Sequence, residues 1–243
     1  MHIPRIYHPQ TLTQGEIQTL SEQAGYHLAR VLKMNVGEPL FLFDGSGDVC
    51  EATIATIKKN QITVTLGSVI TQNNESPLNI HLGQALVRGE KMDLIFQKAV
   101  ELGVYVITPL LTEHGNTSLS AERLDKKMAH WQGIMINACE QCGRNTLPIL
   151  HEPQSISSWL QSQTTDLKLI LHPTAHQDVL KKIEINSISL AIGPEGGFSD
   201  LEIKQATQYH FQAAALGPRI LRTETAGLAM VAVLQYMYGD FRS

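Results

Sequence analysis

Cysteine is scarce, with three residues, Cys50, Cys139 and Cys142, in a chain of 243. So few thiols make no disulfide framework, and a reducing compartment is expected. Long apolar runs are missing as well. The longest, Ala226–Leu234, covers nine residues, against roughly 20 for a membrane-spanning helix. The opening "MHIPRIYHPQ" has no apolar stretch of the kind a secretion signal carries. The expectation is a cytoplasmic chain with no membrane partner. Nor is there an excess of positive charge. Nineteen Lys and Arg against 23 Asp and Glu leave a net charge of −4, which argues against a protein that coats nucleic acid non-specifically. A local basic patch remains compatible with that balance.

Several chemical signatures are also lacking. There is no GxGxxG dinucleotide loop, no GxxxxGK[ST] phosphate loop and no GxSxG nucleophile elbow. Cys139 and Cys142 form a single CxxC with no second pair, so a zinc site is not expected. Cys142 fits a helical core stripe. His172 and His176 flank a Pro-Thr turn and read as loop histidines. No metal is expected.

What is present falls into two parts. Residues 1–72 read as a small, mostly β unit of barrel type. "GYHLARVLKM", Gly25 to Met34, suits a short helix, and Pro39 to Ile70 holds β-branched runs broken by Gly45-Ser46-Gly47, a hairpin turn. "TQNNESP", Thr71 to Pro77, has the composition of a linker. Residues 73–243 alternate strand and helix. "NIHLGQALV" and "VYVITPLL" read as strands, with "EKMDLIFQKAVELG" between them as a helix closed by Gly103. Leu124, Met128, Trp131, Met135, Ala138 and Cys142 recur at helical spacing along one face. "LKLILHP", "ISLAIGPE" and "FQAAALG" are short apolar strands, each expected to be buried on both sides and followed by a helix. The fold class is α/β with a largely parallel sheet.

Three stretches carry the candidate chemistry. In "AIGPEGGFSDLEI" a strand ends at Ile192 and a glycine-rich loop leads to Ser199, with Glu202 three residues on, a capping box. Such a loop is either a tight turn or a place where a ligand approaches the backbone. "LGPRILRTETAG" follows the last strand. Thr223 or Thr225 suits a helix cap, and Glu224 suits the positive end of the helix dipole. Arg222 does not suit that end and more plausibly meets an anion. In "ACEQCGRNTLP", Glu140 and Arg144 are four apart. They form either an i,i+4 pair or the two sides of a helix terminus at Gly143.

Taken in order, "EKMDLIFQKAVELGV", "INACEQCGRNTLP", "GPEGGFSDLE" and "LGPRILRTETA" resemble the SPOUT-class RNA methyltransferases. With "IPRIY" and "HLARVLKMNVGEPLFLFDGSG" near the start, the chain is most similar to the RsmE family of 16S rRNA uracil-N3 methyltransferases. The resemblance implies a PUA-like RNA-binding barrel and a SPOUT domain with a C-terminal trefoil knot that cradles S-adenosylmethionine. It implies a homodimer and a substrate of 16S rRNA or the small ribosomal subunit. It places the cofactor at Leu171, His172, Pro173, Gly193, Pro194, Gly196, Gly197, Leu216, Gly217, Ile220 and Leu221, with Thr225 beside them.

Methyl transfer to uracil N3 requires loss of the N3 proton and stabilisation of charge on O2 and O4. Arg222 is the first candidate for that cation and Arg144 the second. Glu140 or Glu224 would orient an arginine or accept the proton. Arg5, Arg30, Lys33, Arg88 and Lys91 are candidate phosphate contacts. Two other readings fit the same motifs: a SPOUT 2′-O-ribose methyltransferase acting on tRNA or rRNA, and a non-catalytic RNA-binding assembly factor. Nucleoside mass spectrometry separates the first from uracil N3, and S-adenosylmethionine binding separates the second.

Overall fold

A computed structural model describes residues 3–59, 61–115, 121–175 and 184–242. The chain forms two compact units, one of Met1–Glu75 with Ile136–Leu147, the other of Ser76–Met135 with Pro148–Ser243.

The first unit contains β1 (Arg5–Tyr7), β2 (Ile17–Thr19), α1 (Glu22–Tyr26), a π-helical turn (His27–Val31), β3 (Pro39–Phe43), β4 (Asp48–Lys58) and β5 (Gln61–Thr71). They make a five-stranded sheet in the order β1-β3-β4-β5-β2. Alternation along β4 and β5 sends Ile54, Ile62, Val64 and Leu66 into a core with Leu28, Leu40 and Leu42. The hairpin expected at Gly45-Ser46-Gly47 joins β3 to the antiparallel β4, and Gly45 (φ +88°) and Gly47 (φ +113°) adopt backbone angles that favour glycine. The helix expected from Gly25 starts earlier, because the Ser21 side chain accepts from the Ala24 N–H and caps it. It ends earlier too: the π-helical turn closes at Val31, and Lys33 takes a left-handed conformation at φ +54°.

The Thr71–Pro77 stretch is no loose tether where it belongs to this unit. Asn145 Nδ2 donates to Gln72 O at 3.0 Å, Asn74 Nδ2 donates to Gly143 O at 3.0 Å, and Arg144 Nε donates to Glu75 Oε1 at 3.1 Å.

The second unit holds β6 (Asn79–Ala85), α2 (Glu90–Glu101), β7 (Val106–Leu111), β8 (Ile149–Leu150), β9 (Gln154–Ser155), α4 (Ile156–Ser162), β10 (Leu167–Leu171), β11 (Ser187–Ile192), α5 (Asp200–Gln208), β12 (Gln212–Ala214) and α6 (Thr223–Tyr238). The long helix α3 (Ala121–Cys142) begins in this unit, and its last residues count with the first. Gly103 follows α2 at φ +78°, the C′ position its sequence predicts. A helix following β10 would lie within 176–183, outside the described residues.

On α3 the stripe of Trp131, Met135 and Ala138 is buried, but it continues to Cys139, four residues beyond Met135. Cys142, expected in the stripe, is exposed. The sheet order is β12-β10-β11-β6-β7-β8, and every neighbouring pair is parallel. Strands β10 and β11 are apolar and mostly buried, as expected. Strand β12 is not buried on both sides: it is a three-residue edge strand with Gln212 exposed.

Gly83 on β6 accommodates Trp159 of α4, since an added Cβ there would stand 2.7 Å from the indole. Trp159 then anchors a core of Leu110, Ile156, Leu160, Ile170, Ala191, Phe198, Ala206 and Phe211. Among the described residues, no helix is long and apolar enough to cross a membrane.

The strand order positions the site. The chain runs from β10 inward to β11, which pairs β6, and then back outward to β12 beyond β10. The carboxyl ends of these three strands therefore lie side by side at a reversal of strand order, the place where open α/β sheets bind ligands.

Candidate active site

Those three strand ends enclose one cleft of about 580 Å³, within the range usual for small-molecule sites. Leu171 to Thr174 come from the end of β10, Ile192 to Phe198 from β11, and Ala214 to Gly217 with Arg219 to Thr223 from the segment after β12. Ala226 of α6 completes the lining. All the predicted cofactor positions line the cleft except Thr225, which is exposed on the first turn of α6.

The β11 loop is shaped by local rules. Ser199 and Glu202 form the predicted capping box of α5: the Ser199 side chain accepts from Glu202 N, and Glu202 Oε2 accepts from Ser199 N at 2.8 Å. Glu202 Oε1 also accepts from Glu113 N at 2.9 Å, so one buried carboxylate ties α5 to the end of β7. Gly197 N donates to Pro194 O at 2.9 Å and closes the turn, and Gly197 takes φ +72°. His114 packs against this turn. Its Nδ1 is 3.3 Å from Gly197 O, and an added Cβ on Gly196 would stand 2.9 Å from its Cβ. On the β10 side, His172 N donates to Ala214 O at 2.9 Å and its ring nitrogen meets the Thr174 hydroxyl at 3.0 Å. His176 lies outside the described residues.

The start of α6 differs from the expected cap. Arg222 is the N-cap residue and its carbonyl accepts from Ala226 N at 2.8 Å, but no side chain caps the helix. Neither threonine serves. Thr223 Oγ1 instead donates to Gly193 O at 2.6 Å and accepts from Gln84 Nε2 at 3.2 Å. The demand of the Gly193 carbonyl overrides the capping preference, and α6 is thereby fastened to the β11 loop. Gly227 allows the close approach, since a Cβ there would press Ile192 at 3.3 Å and Gln84 at 3.5 Å.

The four candidate catalytic residues separate. The Arg222 side chain is exposed at the cleft, with no ion pair among the described residues, and Arg219 stands beside it in the same condition. Glu224 turns toward Lys91, whose Nζ is 4.0 Å from its Oε2. Arg144 and Glu140 belong to the first unit. Arg144 is 4% exposed and paired with Glu75, and the Glu140 carboxylate accepts from Tyr7 N at 2.9 Å, with burial pushing its pKa up. Gly143 lies at φ +86° beyond α3, so Arg144 follows the helix terminus.

The candidate phosphate contacts separate as well. Arg30, Lys33 and Arg88 are exposed. Arg5 is engaged: its guanidinium donates to Asn145 Oδ1 and lies 5.8 Å from the ring centroids of Phe41 and Phe43, and burial lowers its pKa. Lys91 donates to Glu195 Oε1 at 2.7 Å, which holds the Glu195 carboxyl below its usual range. Among the described residues, no group of three or more His, Cys, Asp or Glu is placed to hold a metal ion.

Two family models match the chain: an RNA methyltransferase domain over residues 74–235 and an RNA methyltransferase PUA domain over 20–67. A ribosomal RNA small subunit methyltransferase E of Buchnera aphidicola is 39% identical over 240 residues, covering 98% of both chains. This chain belongs to the small-subunit ribosomal RNA methyltransferase E family. Solved structures agree with that placement. A methyltransferase of Legionella pneumophila, in complex with the cofactor SAM, is 43% identical with a TM-score of 0.96, covering 99% of this chain and all of that one. A methyltransferase E of Neisseria gonorrhoeae, bound to S-adenosyl methionine, is 38% identical with a TM-score of 0.91 and equal coverage.

Sequence reasoning missed Gln84, Lys91 as a partner of Glu195, His114, Arg219 and the clasp of Thr223. Arg219 had a readable signal: it sits in the same loop as Arg222, in "GPRILR". The others depend on partners far away in the chain.

Proposed function

We propose that this chain transfers the methyl group of S-adenosylmethionine to N3 of one uridine in 16S rRNA of the small ribosomal subunit. The observation that carries the reading is the single cleft built by the ends of β10, β11 and β12, with two arginines at its edge.

The cleft suits the donor. Leu171, Ile192, Leu216 and Leu221 offer an apolar slot for adenosine. Where a Cβ would stand at Gly197, nothing lies within 4 Å, so that edge of the lining is open. Leu171, His172, Pro173, Gly193, Pro194, Gly196, Gly197, Leu216, Gly217, Ile220 and Leu221 would hold the cofactor, which supplies an activated methyl on its sulfonium. The protein's task is to hold the uracil ring in line with that methyl, an arrangement that can supply about 7–11 kcal/mol.

Arg222 would stabilise the negative charge that develops on the uracil oxygens once the N3 proton leaves. Glu224 lies in the first turn of the helix that follows Arg222 and would serve as the carboxylate that orients an arginine or takes that proton. Arg144 and Glu140, held in the first unit, would act on the substrate only by giving up their present partners. The exposed Arg30, Lys33 and Arg88 would meet rRNA phosphates. Family membership supports the finer points: a trefoil knot formed by the last strands and helices, a homodimer, a PUA-like RNA-binding role for the first unit, and action in the cytoplasm.

The test is nucleoside mass spectrometry of 16S rRNA from cells with and without the protein. The reading predicts that one N3-methyluridine disappears on deletion and returns with the wild-type chain. A ribose-methylated nucleoside, or no change, would refute it.

A further inference from the structure

Lys91 has two carboxylate neighbours and satisfies one of them. Its Nζ donates to Glu195 Oε1 at 2.7 Å, while Glu224 Oε2 stands 4.0 Å away. That second oxygen is buried and has no hydrogen-bond partner, in a side chain only 13% exposed. A buried acceptor left without a donor is costly, so the present arrangement leaves Glu224 unfavourably placed. Shifting Lys91 by about one ångström would complete a hydrogen bond to it.

Glu195 also differs from every other residue around the cleft. It is the one acidic side chain in a lining that otherwise carries Arg219 and Arg222. Its side chain is half exposed, so its ion pair with Lys91 is of the weak, surface kind and is readily given up. Arg88 adds a further positive influence on the same carboxyl. The methyl donor carries a sulfonium and an ammonium against one carboxylate. The demethylated product has lost the sulfonium charge.

We propose that Lys91 is an exchangeable counter-ion, which neutralises Glu195 while the cleft is free and passes to Glu224 when the positive charge of the methyl donor claims Glu195. This inference rests on the reading that the cleft takes S-adenosylmethionine. It assigns Glu195 to distinguishing the charged donor from the neutral product, and it assigns Lys91 a place beside the cleft rather than on an rRNA phosphate. The exchange joins loading of the β11 loop to the first turn of α6, the turn that follows Arg222. Lys91 acts through Glu195 and Glu224 and is a positioning residue.

Calorimetric titration of the full-length chain with S-adenosylmethionine and S-adenosylhomocysteine tests this, with thermal unfolding of each variant as the control for folding. Glu195→Gln should weaken donor binding about three- to fivefold and leave product binding unchanged within error. Lys91→Met should tighten donor binding about two- to fivefold, because a competing cation is gone. Glu224→Gln should weaken donor binding, and adding Lys91→Met to it should restore the affinity of Lys91→Met alone. Weaker donor binding in Lys91→Met would overturn the exchange, as would equal losses for donor and product in Glu195→Gln. A wild-type chain that binds the donor without this pattern refutes the exchange alone. A wild-type chain that binds neither compound refutes the cofactor reading as well.

Discussion

The hydroxyl of Thr223 donates to the carbonyl of Gly193 at 2.6 Å, and this bond fastens the first residue of α6 to the loop that follows β11. The two residues are 30 apart in the chain. Between them the chain forms α5 and β12 and returns to the cleft. Both residues line the cleft, and the clasp fixes where the neighbouring Arg222 leaves the backbone.

Thr223→Val keeps the side-chain shape and deletes the hydroxyl. It leaves the Gly193 carbonyl without its donor and Gln84 Nε2 without one of its acceptors. A stability loss of about 1–3 kcal/mol is expected in urea unfolding. S-adenosylmethionine affinity should fall with it, because the β11 loop loses its hold on α6.

Arg222→Ala should separate binding from chemistry. The side chain is exposed at the cleft edge and makes no ion pair among the described residues, so its removal costs little stability. If it stabilises charge that develops only during transfer, single-turnover methylation should fall about 10²–10³-fold. Donor affinity measured by calorimetry should stay within about threefold. Equal losses in both would mean that Arg222 is a binding residue.

Glu75→Ala probes the buried pair with Arg144, a residue 4% exposed. Removing one member of such a pair leaves a charge poorly compensated, and about 3 kcal/mol of stability should be lost. If the role of Arg144 is to hold this part of the first unit, the variant should lose stability while its turnover at a permissive temperature stays near wild type. A large fall in turnover without a fall in stability would point to Arg144 in the chemistry.

Acid should weaken the second unit through His81. Burial, and then the neighbouring His151, push its pKa down to about 4. The groups that face it are His151, the Thr108 hydroxyl that both imidazoles share, Gln163 and the indole of Trp159, set nearly perpendicular to the His81 ring. The unfolded chain protonates this residue near pH 6.5, so it binds more protons than the folded chain below that pH. Stability due to His81 is therefore complete above about pH 6.5, is lost as the pH falls toward 4, and changes no further below that value. The loss amounts to at most about 3 kcal/mol. Urea midpoints recorded from pH 7 to 4 should fall more steeply for the wild type than for His81→Gln.

Much of the second unit was legible in the residues. Local signals carry it: the apolar runs of β10 and β11, the Ser199–Glu202 capping box, and Gly103 after α2. Two of the three segments that line the cleft, those after β11 and β12, were legible for the same reason, since each is a turn placed directly after an apolar run; the segment Leu171–Pro173 after β10 came only from the family resemblance. Pairings across the chain were not. Glu75 meets Arg144 across 69 residues and Lys91 meets Glu195 across 104, and no periodicity links such positions. The counting of Ile136–Leu147 with the first unit was hidden likewise, because a helix pattern records which face is buried and not what covers it. Cys142 was misplaced by extending a stripe one step too far, when the equivalent spacing from Met135 leads to Cys139.

The most direct measurement is calorimetric titration of S-adenosylmethionine into the wild-type chain and into Ala226→Trp, which places an indole in the lining of the cleft. We expect one equivalent of donor per wild-type chain, and no measurable binding to a variant that still unfolds cooperatively. No binding by the wild type, or unchanged affinity in the blocked variant, would contradict the assignment of this cleft to the methyl donor.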